Sequence, residues 1–309
     1  MVTPLRFSWR QAPTEAQKKF NECGGFADWV EGRVTKNCLI VTALDANGAP
    51  AVEVAYHHDG PASYRPDATL RRAMQQLAAM RRDLAPSHPT PVRVDHWAFP
   101  EKRTMPLPGE TVGPEHVNGG CTHRGGVIHC FRHEDYPKVW LHEAAHAFGI
   151  DMWTPQGTPE ERALRRLLPG QGPLLPGEAW AELVAEAYST ACLSNAPIGS
   201  TKWLRAWAAE TEHAFAQAGA LARHMGHTRA QDLFTGRRPW RERTNALAYY
   251  VLRAALMPQH TEWARVTSPA ILAPFLLERL RHPQFSMQLQ RGMDAPPKPD
   301  RNLRMTLQS

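Results

Sequence analysis

His142-Glu143-Ala144-Ala145-His146 sets two imidazoles four residues apart, with a carboxylate beside the first. On a helix that spacing stands both rings one turn apart on the same face, close enough to share one tetrahedral Zn2+. Glu143 then points toward the next open coordination position, where a carboxylate can take the proton of a metal-activated water. In a chain with 15 His and 19 Glu, chance supplies ~0.04 matches to this pattern, so its presence carries information. The flanks are Val139, Trp140 and Leu141 on one side, then Ala144, Ala145, Ala147 and Phe148. Such a helix buries its polar seam, which is costly unless the polar groups are employed.

A catalytic zinc takes a third protein ligand. A His at position 152 would supply it, but Met stands there and Asp151 is one residue out of register. The later segment Pro176-Gly-Glu178-Ala-Trp-Ala-Glu182-Leu-Val-Ala-Glu186 presents three carboxylates at i, i+4 and i+8, on one helix face. Its other residues are mostly apolar, leaving little room for a solvated acidic stripe.

HExxH followed by Glu178-Ala-Trp-Ala181 resembles the gluzincin group of zinc metallopeptidases, whose second motif often reads Glu-Gly-Phe/Leu/Trp-Ala at a helix start. The resemblance implies that His142 and His146 are zinc ligands, Glu143 the general base and Glu178 the third ligand. It leaves Glu182 either to orient an imidazole N–H or to serve as ligand if the register is one turn off. It further implies that the strand over 127–131 is a sheet edge that pairs with an extended peptide. It also implies an oxyanion-stabilising Tyr or His from the helical half, with Tyr249 and Tyr250 first and Tyr188 and His213 next. More loosely, Val117-Asn-Gly-Gly-Cys121, the stretch from His129 to Gly149 and Thr244-Asn-Ala-Leu-Ala-Tyr-Tyr250 are similar to uncharacterised HExxH proteins of large DNA viruses.

The elements that must hold these residues follow from periodicity and turn chemistry. A helical segment is expected over 15–30. Strands are expected over 37–44 and 51–56, joined as a hairpin by Asn47-Gly48. Leu70, Met74, Leu77, Met80 and Leu84 recur at helical spacing behind the N-cap candidate Asp67. A strand over 91–99, a Pro/Gly-rich loop and a strand over 127–131 lead into the motif helix, which Gly149 ends. Helices are expected at 159–168, 177–194, 201–225, 241–257 and 268–281. Strands before and helices after the motif give an α+β class, zincin-like by the resemblance. The expected division is a mixed-sheet subdomain over 1–150, a helical subdomain over 151–290 supplying the third ligand, and a loose tail over 291–309.

Composition narrows the classes. The hydrophobic fraction of 42% suffices for a packed core, and no stretch reaches 18 uninterrupted apolar residues, so no membrane partner is expected. The net charge of +6 rests on 29 Arg against seven Lys. Arginine suits phosphate and carboxylate recognition, but no dense basic run occurs, and a nucleic-acid partner is disfavoured. Five cysteines without a CxxC pair indicate mostly free thiols, and the absence of an apolar leader points to the cytoplasm. The residues therefore predict a zinc-dependent metallopeptidase acting on a peptide or protein. The alternatives are a catalytically inactive zincin-fold scaffold and an Arg-rich nucleic-acid-binding protein.

Overall fold

Leu39, Val41 and Ala43, then Val52, Val54 and Tyr56, are buried at alternate positions, as in strands with one covered face. In the computed structural model, which describes residues 5–12, 29–30, 32–61, 63–152, 157–169, 174–296 and 302–307, they belong to two strands. These are β2 (Asn37–Leu44) and β3 (Pro50–His58), antiparallel across a turn in which Gly48 adopts φ +82°. A strand that the sequence reading passed over, β1 (Arg6–Gln11), pairs with β2 along the outer edge. It is largely exposed, so its burial pattern is weak.

Asp67 caps α1 (Ala68–Leu84), its carboxylate accepting the Leu70 N–H at 2.7 Å. The buried stripe Leu70, Met74, Leu77 and Met80 lies in the same core as the sheet residues. The chain then returns as β4 (Val92–Trp97), parallel to β3. A short α2 (Pro114–Val117) precedes β5 (Gly120–Cys121) and β6 (Ile128–Cys130). The sheet order is β1-β2-β3-β4-β6-β5, with β6 parallel to β4 and β5 antiparallel to β6. The strand expected at the substrate edge is therefore internal; the two-residue β5 forms the edge instead.

The motif lies on α3 (Tyr136–Phe148), closed by Gly149 at φ +70°. Helices follow: α4 (Pro159–Leu167), α5 (Pro176–Leu193), α6 (Thr201–His224), α7 (Arg253–Leu256), α8 (Pro269–Arg281) and α9 (Pro283–Asp294). The helix expected over 241–257 begins at Leu247 with a π-helical turn, Leu247–Leu252, that runs into α7. Of the helix expected over 15–30, only Trp29 and Val30 are described, in a turn. The protein is thus a mixed α+β fold with a six-stranded sheet and a helical C-terminal part. Among the described residues no helix is long and apolar enough to cross a membrane.

Two apolar clusters meet at α5, which gives Ala181 and Ala185 to the sheet-side core and Trp180, Leu183 and Ala187 to the helical one. The stretch expected as a loose tail is not loose where it is described. Gly292 and Met293 belong to α9, and Leu303, Met305 and Thr306 are buried. They are held by hydrogen bonds from Tyr250, Arg253, His213 and Gln217 to backbone carbonyls of 302–305. Composition there, rich in Pro and Arg, hid a segment whose partners are distant in sequence. Cys38, Cys130 and Cys192 are free thiols, but Cys121 is disulfide-bonded. An odd cysteine count forbids complete pairing and permits a single bridge.

Helices α6 and α9 approach closely enough that a Cβ on Gly219 would lie 2.2 Å from Gly292 C, and one on Gly292 2.1 Å from Phe215 O. In an exposed helix interior Gly→Ala stabilises by roughly 1 kcal/mol. Here the clash with backbone reverses the sign. Gly219→Ala and Gly292→Ala should each lower unfolding stability by about 2 kcal/mol or more in urea denaturation; an unchanged midpoint would contradict this packing.

Candidate metal centre

Helices α3 and α5 pack together in one apolar cluster, to which α3 gives Ala144 and Ala145 and α5 gives Ala181 and Ala185, all fully buried. That packing brings Glu178, in the first turn of α5, to the two motif imidazoles. His142 Nε2 and His146 Nε2 are 3.1 Å apart, and Glu178 Oε2 lies 3.5 Å from the first and 3.3 Å from the second. Among the described residues this is the one group of three such side chains whose donor atoms all lie within 4.8 Å of one another. Tetrahedral Zn2+ with ligand bonds of 2.0–2.1 Å has ligand–ligand edges of about 3.3 Å, so the triangle fits the ion.

Carboxylates flank both outer nitrogens, at hydrogen-bonding geometry for His146 and at ion-pair distance only for His142. His146 Nδ1 is 2.9 Å from Asp151 Oδ2, and His142 Nδ1 is 2.9 Å from Glu182 Oε1. Protons on both Nδ1 atoms leave both Nε2 lone pairs facing each other and the Glu178 carboxylate. Three acceptors then converge with no donor among them, an arrangement that requires a cation or a proton. Glu178 Oε2 is buried and finds no donor at hydrogen-bonding geometry. Asp151 and Glu182 are therefore orienting partners of the imidazoles. Glu178, not Glu182, is the carboxylate that stands beside both Nε2 atoms, while Glu182 faces His142 Nδ1.

Burial pushes the His142 imidazole down to about 4 and the Glu143 carboxyl up to about 8. Burial alone would also lower His146 and raise Glu178, but each is overridden by its partners. Asp151 and Glu178 hold His146 well above the usual imidazole range, and the two imidazoles hold Glu178 well below the usual carboxylate range.

Behind the triangle lies a buried ionic network. Glu182 pairs with Lys138 and, at 3.6 Å, with Arg253, which reaches Glu186 at 3.1 Å. Arg253 also donates to the Met305 carbonyl at 2.9 Å. Asp135, at the N-terminus of α3, accepts from Arg304 at 2.8 Å and faces Arg103 at 3.6 Å. The 302–307 segment thus takes part in the support of α3.

The triangle opens on a cleft of about 490 Å³ whose lining includes Gly120, Cys121, Glu143, Asn245 and Tyr249. A Cβ on Gly120 would lie 2.9 Å from Glu143 Cγ, so glycine there lets the edge strand approach the Glu143 side chain. Of the two tyrosines singled out in the sequence, the π turn sends Tyr249 into the cleft, 5.6 Å between its ring and that of His142. Tyr250 is fully buried elsewhere, its hydroxyl donating to Leu303 O at 2.7 Å, and is withdrawn as an oxyanion candidate. Asn245 Nδ2 donates to the Tyr249 hydroxyl at 3.3 Å. Glu242 caps the same turn by accepting the Leu247 N–H at 2.9 Å. Sequence reasoning did not single out Asn245, although its i, i+4 spacing from Tyr249 was available.

No protein-family model, curated protein or solved structure matches this chain. The site must be read from its own geometry.

Tyr188 and His213, the other two oxyanion candidates, and several further histidines lie away from the cleft. Tyr188 packs on the sheet-side core, His213 bonds the Arg304 carbonyl at 2.9 Å, and His57 stacks on Trp97. His58 and His133 belong to an aromatic group around Tyr56, and His129 lies on internal β6. His123 alone of the secondary histidines lines the cleft.

A proton on His146 and a divalent cation are alternative ways to neutralise the triangle. Because His146 is raised above 6.5, it carries its proton in the metal-free protein near neutrality and the metal must displace it. Zinc affinity, measured by competition with a chromophoric chelator, should rise ~tenfold per pH unit from pH 6 to the His146 pKa. A flat profile would contradict this competition.

Proposed function

We propose that this protein is a zinc-dependent peptidase of gluzincin type, with the α+β architecture of zincins. The observation that carries the reading is the convergence of His142, His146 and Glu178 in the cleft that Glu143, Tyr249 and the sheet edge also line. His142, His146 and Glu178 would hold the ion. Bound zinc supplies a water of pKa ~7 and polarises the substrate carbonyl.

The chain's own residues divide the remaining work. β5 is the last strand of the sheet, bonded to β6 along one side only. Its other side offers backbone groups to an extended peptide, replacing the wider edge expected from the sequence. Glu143 accepts the proton of the attacking water. It then hands that proton to the leaving amine. Tyr249, kept protonated because burial raises its phenol and held by Asn245, donates to the carbonyl oxygen as negative charge develops.

Two substitutions separate these roles. Glu143→Gln should retain stoichiometric zinc by metal analysis and lose peptide cleavage by ~10³-fold or more; a fully active variant would overturn the general-base role. Tyr249→Phe should lower kcat by ~10²-fold with KM little changed, measured on any peptide that the wild type cleaves. A change confined to KM would assign Tyr249 to ground-state binding instead.

A further inference from the structure

A second cavity adjoins the cleft at His123. It is of similar size, about 490 Å³, and its wall includes His88, Arg93, Gly125 and Gly126. Of the carboxylates lining the first cavity, Glu178 and Asp151 hold the imidazole sites and Glu143 faces the metal position. Among the described residues no carboxylate lines the second. Away from the metal centre the ionisable lining of the two cavities is therefore cationic or imidazole.

Arg124 lines the first cavity, and its place is built. Gly125 N donates to Ala147 O at 2.8 Å, tying the turn to the C-terminal end of α3. A Cβ on Gly149 would lie 2.6 Å from Arg124 Nε and 2.8 Å from Cζ, so the guanidinium lies directly on the backbone just beyond His146. Gly149 thus serves its left-handed conformation and the seat of Arg124 together. Buried Arg253 and Arg103 meet Glu186 and Asp135, and buried Arg132 meets backbone carbonyls, whereas Arg124 and Arg93 are exposed. Arg124 and Arg93 have no carboxylate within ion-pair distance among the described residues.

We propose that Arg124, with His123 and Arg93 beyond it, forms a subsite for a carboxylate of the bound peptide. A guanidinium fork matches a carboxylate in bidentate geometry. The carboxylate comes from an acidic side chain or from a free C-terminus, which share this chemistry. The inference rests on the peptidase reading and gives it a substrate class. It also gives part of the arginine surplus a task that composition alone did not assign.

The test uses the full-length, zinc-loaded Glu143→Gln protein, so that peptides stay intact, with fluorescence anisotropy as the readout. The probes are four fluorescein-labelled decapeptide mixtures, with a single Glu or with Gln in its place, each with a free or an amidated C-terminus. The Glu mixtures, or the free-acid mixtures, should bind at least tenfold tighter than their neutral counterparts, and which of these holds identifies the source. Arg124→Gln should reduce that preference to twofold or less while zinc content and binding of the neutral mixture stay unchanged. Equal or undetectable binding of all four mixtures overturns the subsite, as does a preference that survives Arg124→Gln combined with Arg93→Gln. Cleavage by the wild-type chain is scored separately. An Arg124-dependent preference without cleavage keeps the subsite and removes the peptidase reading; cleavage with no charge preference does the reverse.

Discussion

Three acceptor atoms held within 3.5 Å of one another are the constraint around which this protein is arranged. Such atoms repel unless a positive charge lies between them, and side chains free to move would simply separate. Rigidity must come from behind. Asp151 and Glu182 flank the outer nitrogens of the rings, and the packing of α3 against α5 fixes the distance between the helices. A larger residue at Ala144, Ala145, Ala181 or Ala185 would force the helices apart and draw Glu178 away from the rings, so the side-chain volumes of an apolar seam set the geometry of a polar site.

The orienting carboxylates bring their own difficulty, because buried charge is expensive without partners. Lys138 and Arg253 meet Glu182 and Glu186; Arg103 and Arg304 meet Asp135. Glu210, buried on α6, is occupied by Thr306 and the Leu307 N–H. Burial still pushes Lys138 well below and Glu186 up to about 7, which shows how far desolvation competes with pairing. The network is one connected body of charge reaching from the start of α3 through α5 to the 302–307 segment. Removing one member would leave its partner buried and unpaired, a larger cost than the net gain of forming the pair.

Local rules made much of this legible. The HExxH spacing, the i+4 ladder of glutamates, the Asn47-Gly48 turn, the Asp67 cap and the Gly149 stop each depend on residues within a few positions of one another, and each lies where the sequence put it. What escaped depends on contacts between distant segments. β1 is an edge strand with little burial to imprint a pattern. The two residues of β5 are too few for periodicity, so the sheet edge was assigned one strand too far in. Tyr249 and Tyr250 are adjacent and equivalent to a helical reading; only the π turn, with Glu242 as its cap, separates the one facing the cleft from the one buried against Leu303. The tail was read from composition, whereas its placement is decided by Arg253, Tyr250 and Glu210.

That last segment sets an order of assembly. Residues 302–307 follow every other described element in the chain, yet they supply Arg304 to Asp135 and backbone acceptors to Arg253 and Tyr250. A growing polypeptide emerging from the ribosome in sequence has both histidines and Glu178 well before these partners exist. The charges behind α3 are therefore left open to water until nearly all of this sequence has been made, and the closing of the interior coincides with the arrival of its final strap.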